Sequence, residues 1–221
     1  PERLCIAYED VFFESRDGTR LHGWFIPSLS EEVKGTVIQL HGNAENISSH
    51  YMKLLWLIRH GYHLFTFDYR GFGKSEGTPE LRGTIEDAEA ALIQIRQHPK
   101  VDSERLFVIG QSLGGAVAIA ALAKDSREGI QGIVIESTFS SYQRIAQDKL
   151  DEFWLTWAFQ WPLSVLLIRD TYAPEDWVKE LYPIPLVLVH SQQDPIVDFY
   201  HSEILYAAAE EPKFFWKLEE P

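Results

Sequence analysis

The chain has 221 residues, 45% hydrophobic and 24% charged, a balance that fits a folded domain with a real core and excludes a disordered or fibrous chain. A formal charge of -13 with no basic stripe excludes nucleic acid as an expected partner and argues against capture by anionic lipid, because both need clustered Lys and Arg. The single cysteine, Cys5, rules out an internal disulfide framework and reads as packing rather than chemistry.

The chain opens on Pro1 with no charged-then-apolar leader and is expected to be a fragment or processed sequence. Val11–Ser15 and Leu21–Ile26 alternate in period two around the polar turn Arg16–Thr19, the signature of an antiparallel hairpin. Short apolar runs follow at Val37–Leu40, Leu64–Phe67, Leu106–Ile109, Ile133–Ile135 and Leu186–Val189, which read as strands buried on both faces. Thr84–His98 and Leu113–Ala123 carry apolar residues at helical spacing between them. Alternating strands and helices predict an α/β fold, a mostly parallel central sheet flanked by helices, in one domain over 1–221. A small helical insertion, a lid at about 139–182, interrupts the pattern. Within it Phe153–Ile168 is uncharged, with Trp154, Trp157 and Trp161 at helical spacing and Pro162 as an interruption. It is shorter than the roughly 20 apolar residues of a membrane span. It reads as a packed insertion, a lid over an apolar substrate or an interfacial surface, and the three tryptophans are candidate substrate contacts.

The strongest chemical signal is Gly110-Gln111-Ser112-Leu113-Gly114, which fits G-x-S-x-G between a predicted strand and a predicted helix. A serine on such a turn projects its hydroxyl from the sheet edge, and the helix N-terminus favours developing negative charge. Serine is a weak nucleophile at neutral pH, so it needs a base, an acid to orient the base, and oxyanion donors. His41-Gly42-Asn43-Ala44 ends the Val37–Leu40 strand beside that turn, which makes the backbone N–H groups of Asn43 and Leu113 the candidate donor pair. Asp194 lies just past the Leu186–Val189 strand, where catalytic groups of such sheets gather, and is the preferred acid. It precedes Pro195, so a purely turn-forming role competes. Glu136, directly after Ile133–Ile135, is the second choice.

Together His41-Gly42-Asn43-Ala44, Asp68-Tyr69-Arg70-Gly71-Phe72-Gly73-Lys74-Ser75, Gly110–Gly115, Glu136-Ser137-Thr138-Phe139 and Asp194 resemble, in order and over nearly the whole chain, the α/β-hydrolases whose oxyanion segment reads H-G-N. That branch holds esterases, acyl-protein thioesterases and serine aminopeptidase-like proteins. The resemblance implies Ser112 as nucleophile, Asp194 as acid, the amides of Asn43 and Leu113 as oxyanion hole, and no cofactor or metal. It also implies a catalytic histidine after the acid, just beyond the last strand. That strand is Phe214–Leu218 and the sequence stops at Pro221, so the histidine is expected beyond Pro221. Relatives of this kind commonly carry a membrane anchor before the first strand, so a cytoplasmic protein, or one tethered through such an upstream segment, is expected.

Other histidines read as structural. His201 sits in a helix-like stretch, His190 precedes the acid, and His60 and His63 lack a third ligand for zinc. Gly71–Ser75 imitates a phosphate loop, but Asp68 stands where that motif needs glycine. The expected activity is hydrolysis of a small acyl ester or thioester, or of an acylated protein, through a Ser-His-Asp mechanism. A serine peptidase, with Glu45, Asp148 or Asp151 meeting a free amino terminus, and a catalytically silent binding module are the alternatives.

Overall fold

The structure is a computed structural model describing residues 6–43, 45–124, 127–151 and 170–220. The N-terminal hairpin is present: β1 (Glu9–Glu14) pairs antiparallel with β2 (Arg20–Ile26). Strand β2 is also antiparallel to β4 (Tyr62–Asp68), whereas β3 (Gly35–Leu40), β4, β5 (Leu106–Gln111), β6 (Ile130–Glu136), β7 (Leu186–Ser191) and β8 (Lys213–Leu218) run parallel. The order β1-β2-β4-β3-β5-β6-β7-β8 makes an eight-stranded, mostly parallel sheet. After β3 the chain steps outward to β4 on one side, and from β5 it steps outward on the other. The carboxyl ends of β3 and β5 therefore flank a topological switch point, the place where such sheets leave a crevice.

Strand β3 is buried along its whole length, as a strand covered on both faces must be. Val37 and Leu64 pack with Ile26, Leu57 and Ile58 on the face covered by α1 (Ile47–His50) and the 3-10 helix Tyr51–His60. Ile38, Leu40, Phe65 and Phe67 join the larger cluster on the other face with α2 (Leu81–Arg96), α3 (Leu113–Lys124) and a helix near the end of the chain, α6 (Tyr200–Ala208). Between α3 and α6 lie α4 (Tyr142–Asp151) and the short α5 (Pro174–Trp177). The apolar segment with Trp154, Trp157 and Trp161 falls outside the described residues. No described helix is long and apolar enough to cross a membrane.

One buried ion pair locks the loop after β4. The Arg70 guanidinium donates to Asp87 at 2.8 Å from Nη2 and 3.0 Å from Nε, and the Arg70 backbone N–H reaches the same carboxylate at 2.9 Å. Asp87 has no solvent exposure, and Arg70 Nη1 continues to Asp17 at 2.9 Å in the hairpin turn. Removing one partner of such a pair strands a buried charge, which costs roughly 3–5 kcal/mol. Asp87→Ala is therefore expected to lower Tm by about 10 °C in a thermal melt. Asp102→Ala, which breaks an exposed pair with Arg105, is the control and should barely move it. Equal shifts in the two variants would show that the buried pair carries no special weight.

Candidate active site

Ser112 stands between β5 and α3 with φ of 51°, in the left-handed region that a residue bearing a Cβ rarely adopts. Its backbone is held on both sides. The Ser112 N–H donates to Glu136 O at 2.9 Å, and its carbonyl accepts from Gly115 N–H at 3.0 Å and from Thr138 Oγ1 at 3.0 Å. The turn is possible because neighbours approach where a side chain would stand. A Cβ at Gly114 would lie 2.1 Å from Leu40 O, and one at Gly110 would lie 2.7 Å from Gly114 O. The two glycines let the N-terminus of α3 abut the end of β3.

That contact brings the loop after β3 beside the serine: a Cβ built on Gly42 would sit 3.6 Å from Ser112 Cβ. Asn43, Ser112 and Leu113 line one cavity of about 500 Å³, walled otherwise by Phe139, Tyr142, Ile145, Ala146, Lys149, Ile196 and Val197. Leu113 is the first residue of α3, where backbone N–H groups have no intrahelical acceptor and the helix dipole is positive. The cavity thus brings Ser112 together with Asn43 and the helix-terminal Leu113 beside a largely apolar wall. Among the described residues no group of metal-ligating side chains accompanies it.

The loop is braced from behind. Asp68, at the end of β4, accepts the Ile47 N–H at 2.9 Å, and burial raises its pKa even though that bond acts in the opposite direction. His41 is fully buried, its Nδ1 lies 2.8 Å from Gly42 O, and its carbonyl accepts from the Tyr69 hydroxyl at 3.1 Å. Burial pushes its pKa down to about 4, so His41 is neutral and holds the turn. The Gly71–Ser75 loop belongs to the same brace: Ser75 Oγ donates to Asp68 O at 2.6 Å and accepts from His22 N–H at 3.0 Å. No helix opens directly on it, α2 starting at Leu81, which is unlike a phosphate loop.

Asp194 follows β7 in a tight turn, with Oδ1 accepting from Ile196 N–H at 2.8 Å and Val197 N–H at 3.0 Å. Those two residues wall the Ser112 cavity. Burial pushes the Asp194 pKa up, but the bonds from Val197, the Ser137 hydroxyl and Ile196 outweigh it and hold the carboxyl below its ordinary range. Glu136 goes elsewhere. It lines a second cavity of about 550 Å³ with Val134, Val187, Val189 and Trp216, against the 3-10 helix side of the sheet. That cavity is the larger and more apolar of the two, yet Ser112 does not line it.

The histidines after β6 are engaged in structure. His190 Nε2 donates to Val197 O at 2.8 Å while Nδ1 accepts from the Ser202 hydroxyl at 2.6 Å. His201 Nδ1 accepts the Ser140 N–H at 3.1 Å and Nε2 donates to Asp148 at 2.8 Å. The Tyr200 hydroxyl donates to the same Asp148 oxygen at 2.7 Å, so that carboxylate is already occupied, and no described histidine hydrogen-bonds Ser112. The sequence reading gave no role to Ser137 or Tyr142. Ser137 is another non-glycine residue with positive φ, at 47°, and its motif neighbour Thr138 supports the Ser112 carbonyl. The signal available was the run Glu136-Ser137-Thr138-Phe139 after β6, which marks a loop without indicating which of its atoms does what.

Known proteins resemble this chain over most of its length. The family model described as serine aminopeptidase, S33, matches residues 31–172. The Escherichia coli (strain K12) protein named uncharacterized protein YfhR is 40% identical over 208 residues, covering 93% of this chain and 69% of its own length. The alpha/beta hydrolase domain-containing protein WAV2 of Arabidopsis thaliana is 33% identical over 217 residues, covering 95% and 69%. Among solved structures, the Pyrococcus furiosus esterase Pf2001 superposes with a TM-score of 0.81 at 25% identity, covering 100% of this chain and 85% of that one.

Proposed function

The chain belongs to the serine aminopeptidase S33 family of α/β-hydrolases, and within that family we propose that it is a serine hydrolase cleaving an ester or thioester through an acyl-enzyme. The observation that carries the reading is the convergence of the strained Ser112, Asn43 and the helix-terminal Leu113 on one largely apolar cavity. Ser112 attacks the acyl carbonyl, the amides of Asn43 and Leu113 receive the oxyanion, and the leaving alcohol or thiol departs protonated. Water then releases the acid. Asp194 orients the base, which we assign to a histidine carried by sequence C-terminal to Pro221. The geometry favours that source. Gln192 N–H donates to Leu218 O at 2.8 Å and Gln193 Nε2 to Glu219 O at 2.7 Å, so chain leaving β8 emerges beside the Asp194 turn.

The cavity's apolar wall favours an acyl group over a charged amino terminus, and the engagement of Asp148 removes one of the carboxylates a peptidase would use. A small acyl ester or an acylated protein is the substrate class. The deciding experiment is labelling with a fluorophosphonate and mapping of the adduct, on residues 1–221 and on the protein with its natural termini, followed by turnover of p-nitrophenyl esters beside amino-acid p-nitroanilides. Labelling at Ser112 only with the natural termini, and turnover of esters but not anilides, is the expected result. Anilide turnover at comparable rates would move the assignment to a peptidase, and no labelling of either folded protein would overturn the nucleophile.

A further inference from the structure

Tyr142 is the first residue of α4, and a polar frame fixes it. Its N–H donates to Asp170 Oδ1 at 2.9 Å, and the preceding Ser141 hydroxyl donates to Asp170 Oδ2 at 2.5 Å. Ser141 Oγ also accepts the Arg144 N–H at 3.1 Å, capping the helix. The Tyr142 ring meets Phe139 edge-on, with centroids 4.9 Å apart, and lines the cavity that Ser112, Asn43 and Leu113 share. Its hydroxyl oxygen is buried and finds no hydrogen-bond partner among the described residues. Native structures satisfy such groups, and an exception calls for a reason. Burial first, and then the Asp170 carboxylate, push the phenol's pKa upward, so the group stays a donor across the neutral range. Its apolar neighbours Leu113, Phe139, Ile145 and Val197 give it nothing to bond, and the polar residues that share the cavity, Asn43, Ser112 and Lys149, make no hydrogen bond to it.

We propose that the Tyr142 hydroxyl is a substrate-specificity donor, meeting an oxygen on the acyl portion of the substrate so that the cavity selects acyl groups bearing a carbonyl or hydroxyl over plain hydrocarbon chains. This rests on the acyl-hydrolase reading of Ser112. The reacting carbonyl is already met by the amides of Asn43 and Leu113, which leaves the phenol for a second oxygen. A site built around a buried donor discriminates strongly, because a ligand lacking the acceptor leaves that donor unpaired.

The test compares the protein with its natural termini and its Tyr142→Phe variant on p-nitrophenyl 4-oxopentanoate and p-nitrophenyl pentanoate. The wild type is expected to favour the oxo ester in kcat/KM, and the variant to lose that ratio by about tenfold or more. Its Tm should stay level or rise, since no internal hydrogen bond is lost. A wild type without preference, or a variant in which both esters fall together, overturns the proposal. A second arm needs no turnover: Ser112→Ala and Ser112→Ala/Tyr142→Phe proteins are titrated with 4-oxopentanoate and pentanoate. Tighter binding of the oxo acid that disappears in the double variant supports the donor role, and equal binding overturns it. If hydrolysis is equal in wild type and Ser112→Ala, the Ser112 reading fails by itself, and the titration still decides Tyr142.

Discussion

Ser112→Ala is expected to reduce kcat on p-nitrophenyl esters by roughly four to six orders of magnitude, the scale on which removal of a serine nucleophile acts in such machinery. The substitution deletes only a hydroxyl that makes no hydrogen bond among the described residues, so the oxyanion donors and the cavity persist. Fold stability should change little, because alanine meets the same penalty as serine at φ of 51°. That penalty is of the order of 1 kcal/mol or somewhat more. Ser112→Gly separates the two effects: glycine adopts the left-handed region freely, so this variant should be equally inactive yet melt a few degrees higher than Ser112→Ala. The checks are initial rates against buffer and paired thermal melts. Substantial Ser112→Ala turnover above buffer would remove the serine from the mechanism. Equal melting of the two variants would show that the elbow stores no strain.

What the sequence made legible follows from periodicity. The strands announced themselves through their apolar runs: β3 and β4 are covered on both faces as expected, whereas β5 to β7 leave one face half-buried along the second cavity, and the hairpin showed through its alternation. Helix limits were less visible: α2 starts at Leu81, earlier than its apolar spacing suggests, because the Glu80 side chain caps it by accepting the Gly83 N–H at 2.7 Å. Tyr51–His60 escaped notice altogether. Its covered residues Tyr51, Leu54, Leu55 and Ile58 do recur at helical spacing, but the exposed Met52 and Trp56 extend the apolar run and blur that stripe in the sequence. In the site, the motif located Ser112 and the end of β3 located Asn43, since both arguments are local. The choice between Asp194 and Glu136 depended on which way a side chain leaves its strand. Period two on β6 held that information: Ile133 and Ile135 join the buried cluster with α3, so Glu136 follows Val134 to the opposite face. Tyr142 was illegible for another reason, because its significance is an unpaired hydroxyl, a property of the three-dimensional surroundings and not of spacing.

Asp194→Asn should lower kcat by about a thousand- to ten-thousand-fold while leaving the fold intact. Asparagine is nearly isosteric, and its amide oxygen can keep the two bonds from Ile196 and Val197 N–H that shape the turn. What it cannot keep is the charge: an NH₂ group would oppose the N–H of an orienting histidine, forcing the wrong tautomer and withdrawing support from the imidazolium. The pH dependence has a definite sign. Asp194 is held below the ordinary carboxylate range, so its ionised form contributes stability that is present above the unfolded-state value of about 4 and is lost as pH falls through the lowered folded one. It does not titrate near neutrality, so an acid limb there reports the base. Removing a neighbouring negative charge lowers the pKa of that base, and the limb of Asp194→Asn should move to lower pH. Rate profiles from pH 4.5 to 9 check the limb, and melts of wild type and Asp194→Asn at neutral pH and well below pH 4 check the stability statement. Near-normal kcat in Asp194→Asn would reduce Asp194 to a turn former ahead of Pro195. Because Glu136 faces the other side of the sheet, that outcome would require the acid to be sought outside both carboxylates that the sequence put forward.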